Sequence, residues 1–577
     1  MRFSRLGFSG AFYLTTLMEL FERLAWYGFF TVSSLYMTAS PERGGLGFSN
    51  TQRGVLQGII PFFVYLLPVF MGAIADRVGY RPMFLGAFIV LAPAYWLLGE
   101  ARGFWAFFAA YMLVALGAAT FKPLVVGTVA RVTTQANRGV GFGIFYLMVN
   151  VGGFLGPILA GAARGVSWDW VFMLCATAIG VNLLLAWIFF RDPPATPQAG
   201  GASLWAALED AQRVLGNGRF ALLVAVLIVI LMLAGGAWLS WRDALLLSGL
   251  WVVLHLVWDL LATGDRSAPW LRQKLRIGNV PFLAYLLVLS VFWAAYFQIY
   301  LTLPLYIRDF VDTSDLARAA AAISSSLVEF LAHVDVAAAA AALSNLAQQY
   351  TMTPAGTLES AARELAELQI LLPEHVLAEG LRQIANGASA TEVASNWARE
   401  YRQVNPEYII SLDFLSIVLF QYWVSRAAAH ARVFKVLVGG TLLISLSYGL
   451  GGFAHLLPMA GFAAAGMVVL FAFGEMLASP KSQEYVAAVA PPSSAALFMG
   501  YYFVSSALGL LLAGVLSGSG YERLAIEHRT PELMWAVFAG VAMLAALALY
   551  LFNIYMAPRF ALGIHAPASA ASAGECT

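Results

Sequence analysis

Residues 19–28 read Glu-Leu-Phe-Glu-Arg-Leu-Ala-Trp-Tyr-Gly and carry three charges inside an otherwise apolar run. Glu19, Glu22 and Arg23 are three and four residues apart, so a helix presents them on one face. A charge within a membrane helix is costly and marks a functional position by default. The stretch therefore predicts a membrane helix that has a polar function as well as an apolar surface.

The composition of the whole chain agrees with a membrane protein. Of its 577 residues, 60% are hydrophobic and only 11% are charged, whereas soluble domains carry about 25% charged residues. This excludes a single soluble globule and a disordered chain. The net charge of +1 gives no reason to expect a nucleic-acid partner. The two cysteines and seven histidines form no ligand-like cluster, so we expect no metal site.

Apolar runs long enough to cross a bilayer, about 20 residues each, recur along the chain. About fourteen are present, at 11–38, 51–75, 83–100, 104–130, 139–163, 169–190, 219–240, 244–263, 279–304, 408–426, 434–456, 460–488, 494–517 and 532–556. A Pro-rich break near 191–201 separates the first six from the rest. The sequence thus predicts an all-α polytopic membrane protein with helices grouped as six, two and six.

The distribution of Lys and Arg predicts the orientation. With the N-terminus inside, most basic residues fall in cytoplasmic segments and few, Arg53 among them, fall in short outer loops. Both termini are then cytoplasmic. The expected division is a six-helix bundle at 1–192, a linker with two extra helices at 193–276, the first helix of a second bundle at 277–308, a soluble helical insert at 309–403, and the remaining second bundle with a cytoplasmic tail at 404–577.

The segment between the ninth and tenth apolar runs has a different composition. Residues 308–407 hold 13 acidic and 6 basic residues, and no window in them is apolar enough to span. Residues 357–372 have the spacing of an amphipathic helix. We infer a small soluble helical domain on the outer face, which is interpreted as a lid, as a docking domain for an unknown partner, or as a passive insertion. The alternative is a disordered acidic loop.

Two further charges lie near the middle of apolar runs, Lys122 in the fourth and Glu475 in the twelfth. Together with Glu19, Glu22 and Arg23 they come from both halves of the chain, as expected of a substrate site between two repeats. Three acids and two bases leave one negative charge, which one proton would neutralise, and such a cluster titrates as a coupled unit. The alternative is an ion-pair network that only locks helices together.

Several polar residues lie in the same helices as these charges. Tyr146 and Asn150 are four residues apart, Gln298 is in the ninth run, and Ser479 follows Glu475 by one turn. They join the predicted site, although a satisfied polar group in a core is the commoner role for each alone.

A short turn between the second and third runs contains Gly, Asp and Arg at close spacing. Its residues are Gly72, Asp76, Arg77, Gly79 and Arg81. Glycine allows the tight turn, and the charged side chains can bond neighbouring helix ends. The turn is interpreted as a conformational latch, or alternatively as a simple topology anchor.

These segments resemble the proton-dependent oligopeptide transporters of the major facilitator superfamily. The matching segments, in chain order, are 19–28, Gly72–Arg81, Phe121-Lys122-Pro123, 143–152, Phe292-Trp293-Ala294 with Gln298, 403–406 and 474–491. The resemblance implies two six-helix bundles around a central cavity. It also implies two additional helices between the bundles, as bacterial members commonly have.

The resemblance implies a proton-driven importer of di- and tripeptides in a bacterial cell membrane, without enzyme activity or a cofactor. By resemblance, proton coupling falls to Glu19, Glu22, Arg23 and Glu475. Substrate binding falls to Arg23, Tyr27, Lys122, Tyr146, Asn150, Gln298, Glu475 and Ser479. Phe297 replaces an acid that many members carry, so the proton rests on the first helix or on Glu475. The alternatives are a transporter of non-peptide or drug-like substrates and a non-transporting sensor that uses the outer insert.

Overall fold

The computed structural model describes residues 7–134, 137–192, 212, 214–265, 268–490 and 495–558. Within these ranges the chain is helical, and its only β pairing is three isolated bridges. The predicted all-α class is therefore confirmed.

The first bundle consists of six membrane crossings. Its helices are α1 (Gly10–Thr38), α2 (Asn50–Leu66), α3 (Pro68–Val78), α4 (Tyr80–Glu100), α5 (Phe104–Val132), α6 (Arg138–Arg164) and α7 (Trp168–Phe189). α2 and α3 form one crossing that is interrupted at Leu67, because Pro68 cannot donate the next helical hydrogen bond. α1 packs against α6 and α7, and α4 packs against α5 and α7, which closes the bundle around a shared core.

A helical hairpin and a second bundle follow. The hairpin consists of α8 (Gly218–Gly235) and α9 (Trp241–Leu261), and α8 lies against α2 and the second bundle. The second bundle begins with one bent crossing, which is formed by α10 (Val280–Tyr296), α11 (Gln298–Leu301) and α12 (Leu303–Phe310). Its other membrane helices are α19 (Pro406–Ala428), α20 (Val433–Gly451), α21 (Ala460–Val489), α22 (Ala495–Gly520) and α23 (Pro531–Tyr555).

Thirteen helices of the described chain are long and apolar enough to cross a membrane. α1 is outside that set because it carries Glu19, Glu22 and Arg23. It nevertheless packs against α6 and α7 within the first bundle, and with it the described chain has the predicted fourteen crossings. A bent pair at 325–331 and 336–352 also passes the length and composition test when taken as one span. Its second helix packs into the separate apolar core that is described next, so we assign the pair to the insert.

The insert contains α13 (Ser314–Ile323), α14 (Ser325–Leu331), α15 (Val336–Met352), α16 (Pro354–Glu367), α17 (Glu374–Ala385) and α18 (Ala390–Glu400). α15 to α18 enclose a separate apolar core, which includes Leu343, Leu365 and Trp397. α13 and α14 instead contribute buried residues, such as Ala317 and Val328, to the core of the membrane bundles. The predicted segment 309–403 thus has two parts, of which only the second has its own core.

The insert contacts loops of both bundles on one membrane face, which we call the insert side. Arg43 lies between α1 and α2, and its Nη2 is 3.1 Å from Glu364 Oε1 of α16. Arg529 lies between α22 and α23, and its Nη2 is 3.4 Å from Glu359 Oε2. The insert therefore bridges the first bundle and the second.

The two bundles are also joined directly on the insert side. Arg53 of α2 donates to the Leu301 carbonyl at 3.0 Å and to Ser517 Oγ at 2.9 Å, both in the second bundle. Arg164 Nε of α6 lies 3.1 Å from Glu407 Oε1 of α19. The expectation that Arg53 occupies an outer loop is wrong: it lies within α2 and is fully buried, and oxygens of α11 and α22 accept hydrogen bonds from its Nη atoms.

Candidate functional site

The first bundle holds four charged side chains in the membrane interior, which we call the charged cluster. They are Glu19, Glu22 and Arg23 of α1 and Lys122 of α5. Lys122 Nζ lies 2.8 Å from Glu19 Oε1, and Arg23 Nε lies 3.6 Å from the same oxygen. Arg23 Nε also donates to Glu22 Oε2 at 2.5 Å. The helical spacing of α1 thus places Arg23 between two carboxylates, while α5 supplies the second cation.

Each carboxylate of the charged cluster has one oxygen without a hydrogen-bond partner among the described residues. These oxygens are Glu19 Oε2 and Glu22 Oε1, and both side chains are fully buried. A buried acceptor without a partner is costly and is relieved by a proton or a donor. Two acids and two bases make the cluster neutral overall. A substrate carboxylate that binds the cations would therefore add a negative charge, which one proton on Glu19 or Glu22 can balance.

Glycines bring α6 close enough to α1 to complete this side of the site. A Cβ added at Gly152 would lie 2.6 Å from the Leu20 carbonyl oxygen, and one at Gly156 would lie 2.6 Å from the Leu24 carbonyl oxygen. Real Cβ atoms do not approach a backbone so closely, so only glycine permits this contact. The close packing carries Tyr146 and Asn150, on the same helix, towards the charged cluster.

Tyr146 and Asn150 differ in their exposure. Asn150 is buried, and its Nδ2 donates to the Tyr146 carbonyl at 2.9 Å. Tyr146 remains 38% exposed, and it interacts electrostatically with Glu475 and Asp413 of the second bundle. The Lys122 side chain is 32% exposed. Tyr146 and Lys122 are therefore partly exposed members of the predicted site in the first bundle.

The second bundle contributes two buried carboxylates, Glu475 of α21 and Asp413 of α19, which we call the acidic pair. The Tyr296 hydroxyl donates to Glu475 Oε1 at 2.9 Å, and the Tyr300 hydroxyl donates to Asp413 Oδ2 at 2.6 Å. Glu475 Oε2 and Asp413 Oδ1 have no hydrogen-bond partner in the part of the chain that the structure describes. The two carboxylates interact electrostatically with each other. Each acid of the pair therefore has one oxygen held by a tyrosine and one oxygen available.

Tyrosines from the first bundle lie between the charged cluster and the acidic pair. Tyr27 interacts electrostatically with both Arg23 and Glu475, and its ring packs 6.3 Å from that of Tyr300. Tyr65 of α2 interacts with the same Arg23 and Glu475. The two groups of charges thus face one aromatic-lined region, with the neutral charged cluster on one side and the acidic pair on the other.

Phe297 lies among aromatic side chains at the edge of this region. Its ring is 5.8 Å from Trp293 and 6.3 Å from Tyr65. The position therefore supplies an apolar surface, and the carboxylates of the second bundle come from α19 and α21.

Gln298 is placed away from the other predicted binding residues. Its Nε2 donates to the Ala294 and Ala513 carbonyls at 2.9 and 3.2 Å, and its Oε1 accepts from Thr302 at 2.7 Å. Both amide donors are used within the second bundle, where they tie α11 to α22. The Gln298 amide therefore bonds within the second bundle in this structure, and its contact with substrate stays a prediction.

Ser479 follows Glu475 by one turn of α21 and is half-buried. Its carbonyl oxygen accepts a hydrogen bond from Ser482 Oγ at 2.7 Å. Pro480 follows directly and interrupts the helical hydrogen-bond ladder. Ser479 therefore lies at a local break in α21, on the same helix as Glu475.

The predicted conformational loop connects α3 to α4. Gly79 has φ +98°, which glycine adopts readily, and the Arg81 amide donates to Asp192 Oδ1 at 2.7 Å after α7. Arg77 is exposed, whereas the Asp76 side chain lies outside the described residues. These contacts fall within the first bundle, and the latch remains a prediction.

Gly72 of the same predicted loop lies in α3 and packs near α5. A Cβ added at Gly72 would be 3.5 Å from Pro123 Cβ, which is ordinary contact. Gly72 therefore marks where the helix before the loop approaches the helix that carries Lys122.

Sequence reasoning missed four residues of the site: Tyr65, Tyr296, Tyr300 and Asp413. Asp413 had a usable signal, because it is an acid within the predicted apolar run 408–426. The tyrosines had none, because the chain has 23 tyrosines and their sequence spacing does not reveal which ones face a carboxylate. Among the described residues no group of three or more His, Cys, Asp or Glu could hold a metal ion.

A comparison with models of protein families identifies the superfamily of the chain. The family model described as Major Facilitator Superfamily matches residues 15–352, more than half of the 577 residues. The chain belongs to the major facilitator superfamily. It is a multi-pass membrane protein of that superfamily.

Superfamily relatives include transporters named for peptides. Peptide transporter YePEPT of Yersinia enterocolitica is 28% identical over 233 residues, which cover 38% of this chain and 45% of that protein. A di-/tripeptide transporter of Lactococcus lactis is 29% identical over 176 residues, which cover 29% and 35%. The chain thus spans half or less of the length of these curated relatives.

Solved structures extend the likeness over the whole chain. A POT family transporter in complex with 5-aminolevulinic acid superposes with a TM-score of 0.60 over 95% of this chain and 96% of that chain, at 16% identity. This likeness confirms the predicted major facilitator fold. Together with the relatives named for peptides, it also confirms the resemblance to proton-dependent oligopeptide transporters.

Proposed function

We propose that this chain is a proton-coupled symporter that imports di- and tripeptides across a bacterial cell membrane. The observation that carries the proposal is the arrangement of charges around one aromatic-lined region, with Arg23 and Lys122 from the first bundle and Glu475 from the second. A zwitterionic peptide needs a cation at one end and an anion at the other. The peptide-transporter relatives support this substrate class.

The geometry suggests how each end of a peptide is held. The peptide carboxylate binds Arg23 and Lys122, which the free protein pairs with Glu19 and Glu22. The peptide ammonium donates to Glu475 Oε2, the oxygen that has no partner in the protein. Tyr27 and Tyr146 line the space between the two ends. Backbone length limits the fit, because both ends must reach their partners together, and this favours short peptides.

Proton coupling follows from the charge balance of the charged cluster. When the peptide carboxylate takes the two cations, Glu19 or Glu22 loses its paired charge in a site of low dielectric constant. A proton then neutralises the exposed carboxylate at lower cost than leaving it charged. The peptide and the proton are therefore bound together, and the inward proton gradient drives uptake without a cofactor.

Alternating access follows from the contacts between bundles. We place both termini in the cytoplasm and the insert outside, as the positive-inside pattern predicts. The structure is then the inward-facing state, in which Arg53 and Arg164 hold the outer side closed. Import requires the outward-facing state, in which these contacts separate.

Transport by the purified full chain in proteoliposomes tests the proposal. With an acidic exterior, we expect the vesicles to accumulate a labelled dipeptide, and a protonophore should abolish the accumulation. Unlabelled di- and tripeptides should compete, whereas tetrapeptides should compete poorly. If folded protein accumulates no member of a broad di- and tripeptide panel, peptide symport is wrong, and a non-peptide substrate or a sensor role becomes the better interpretation.

A further inference from the structure

Asp413 is a membrane-embedded carboxylate that has no role so far. It lies within α19, inside the span Pro406–Ala428, and it is fully buried. Its Oδ2 accepts the Tyr300 hydrogen bond, and its Oδ1 has no partner in the protein. An ionised carboxylate held in this way is expensive, because one hydroxyl does not replace its hydration.

Among the described residues, the titratable groups that face Asp413 from the surrounding helices are tyrosines and one acid. They are Tyr296 and Tyr300 on the crossing formed by α10 and α11, Tyr146 on α6, Tyr448 on α20 and Glu475 on α21. From α1, Tyr27 packs on the neighbouring Phe414 at 4.6 Å between ring centres. The surroundings thus offer tyrosine hydroxyls and a second acid.

Five cations lie on the described helices that pack against α19; four are engaged by acids other than Asp413, and the fifth, Arg138, is exposed at the first residue of α6. Arg23 of α1 pairs with Glu19 and Glu22 in the charged cluster. Arg164 of α6 pairs with Glu407. Arg308 Nε of α12 lies 2.6 Å from Asp309 Oδ1. Lys481 Nζ of α21 lies 2.7 Å from Glu484 Oε2. None of them is an ion-pair partner of Asp413, so within the described ranges no cation neutralises the acidic pair.

We propose that Asp413 is a second proton-binding site of the transporter, which acts with Glu475. This inference rests on the proposed function, because it assumes that a peptide ammonium reaches Glu475. The ionised acidic pair carries two negative charges. One peptide ammonium at Glu475 neutralises one of them, and one proton bound between Asp413 and Glu475 neutralises the other. The O–H bond forms on loading from the acidic side, and the proton is released to water on the opposite side.

The same charge count gives a proton stoichiometry. The charged cluster is neutral, so the peptide carboxylate calls for one proton there. The acidic pair carries two negative charges, so the peptide ammonium leaves one, which calls for a second proton. During alternating access the loaded site is closed to water on both sides. The free-energy cost of this closed state is lowest when the loaded site has no net charge. We therefore expect two protons to move with each zwitterionic dipeptide, one of them through the acidic pair.

The expected number of protons is tested in proteoliposomes by measuring the peptide concentration ratio, inside over outside, at which net flux stops. With the membrane potential clamped at zero, each coupled proton contributes about a tenfold peptide ratio for a gradient of one pH unit. We expect net flux to stop at a peptide ratio of about 100 for the unmodified chain and about 10 for Asp413→Asn. Dipeptide exchange without a gradient, measured in parallel, shows whether each variant still binds and moves the peptide. The matched control is Asp259→Asn, which neutralises an acid of α9 that pairs with Arg219, and it should keep the ratio of the unmodified chain.

Infrared spectroscopy of the purified protein tests the proton site independently of transport. A protonated carboxyl group has a C=O band that an ionised one lacks, and we expect such a band at neutral pH. It should disappear in Asp413→Asn and persist in Asp259→Asn. Tyr300→Phe keeps the carboxyl group and removes its hydrogen-bond donor, so the band should shift in frequency. This variant provides the readout if Asp413→Asn does not fold.

The outcomes separate the two proposals. If the unmodified chain exchanges no dipeptide, the proposed function fails, whatever the spectra show. If Asp413→Asn keeps both the reversal ratio and the carboxyl band of the unmodified chain, Asp413 binds no transported proton and the inference is wrong. An unshifted band in Tyr300→Phe contradicts the inference in the same way.

Discussion

The ion pair between Arg164 and Glu407 connects the two bundles on the insert side, so replacing Arg164 by alanine should favour opening of that side. The Glu407 side chain is fully buried, and the Arg164 side chain is only 12% exposed. Removing one partner of such a pair leaves a buried charge and costs about 3 kcal/mol at the low end. The closed state alone bears this cost, because opening lets water reach Glu407. The ratio of open to closed molecules should then rise about 100-fold.

Distances between spin labels on the two bundles measure this population. Val166 and His528 are exposed residues near the insert-side ends of α6 and α22, and cysteine at both positions would carry the labels. Cys175 is buried and remains in place, whereas Cys576 is replaced by serine. We expect Arg164→Ala to move the distance distribution, measured by double electron–electron resonance, towards longer values.

The matched control removes an arginine on the same membrane face that makes no contact between bundles. Arg102 donates to the Gly44 carbonyl at 3.1 Å, and both residues belong to the first bundle. Arg102→Ala should therefore leave the distances unchanged. If Arg164→Ala gives the same distribution as Arg102→Ala, the ion pair does not hold the closed state and the reasoning is refuted.

Three further predictions concern the charged cluster, the packing of α6 and the insert. Lys122→Ala and Glu22→Gln should each abolish proton-driven accumulation, and unchanged uptake in both would contradict the coupling role. Gly152→Ala should destabilise the fold by about 1–3 kcal/mol, because its Cβ would lie 2.6 Å from a backbone oxygen. Gly143→Ala on the same helix meets nothing within 4 Å, so its melting temperature should not fall. Deleting 334–401 should leave measurable dipeptide uptake, whereas complete loss in folded protein would indicate a lid.

Most of the membrane architecture could be predicted from apolar runs, because a helix in lipid needs a fixed length and few charges. The charged stretch of α1 did not hide that helix, since its apolar run continues on both sides of Arg23. Arg53 was misplaced for the same physical reason: an arginine at the end of an apolar run resembles a loop residue. Its partners, Leu301 and Ser517, are distant in sequence, so no local pattern reveals that they satisfy it.

The candidate site was predictable where the charges lie within helices and unpredictable where tertiary contacts decide. Glu19, Arg23 and Lys122 meet because helix spacing and membrane depth constrain them. Gln298 has the expected position in the sequence, but the bend between α10 and α12 turns its amide towards α22. The insert shows a similar limit. Its composition differs from that of the membrane helices, but only the packing reveals that α13 and α14 belong to the membrane core.

The insert leaves and rejoins the membrane domain at nearly the same place. The Val404 amide donates to Thr313 Oγ1 at 2.8 Å, and the Asn405 amide donates to the Leu331 carbonyl at 3.0 Å. The entropic cost of closing a loop rises only slowly with loop length. α12 and α19 can thus meet as an ordinary helical hairpin, although the insert lies between them in the sequence. α15 to α18, which have their own core, and the hairpin can therefore fold in either order during synthesis. The chain between α14 and α19 is also a natural position for exchanging α15 to α18 for a reporter without altering any transmembrane helix.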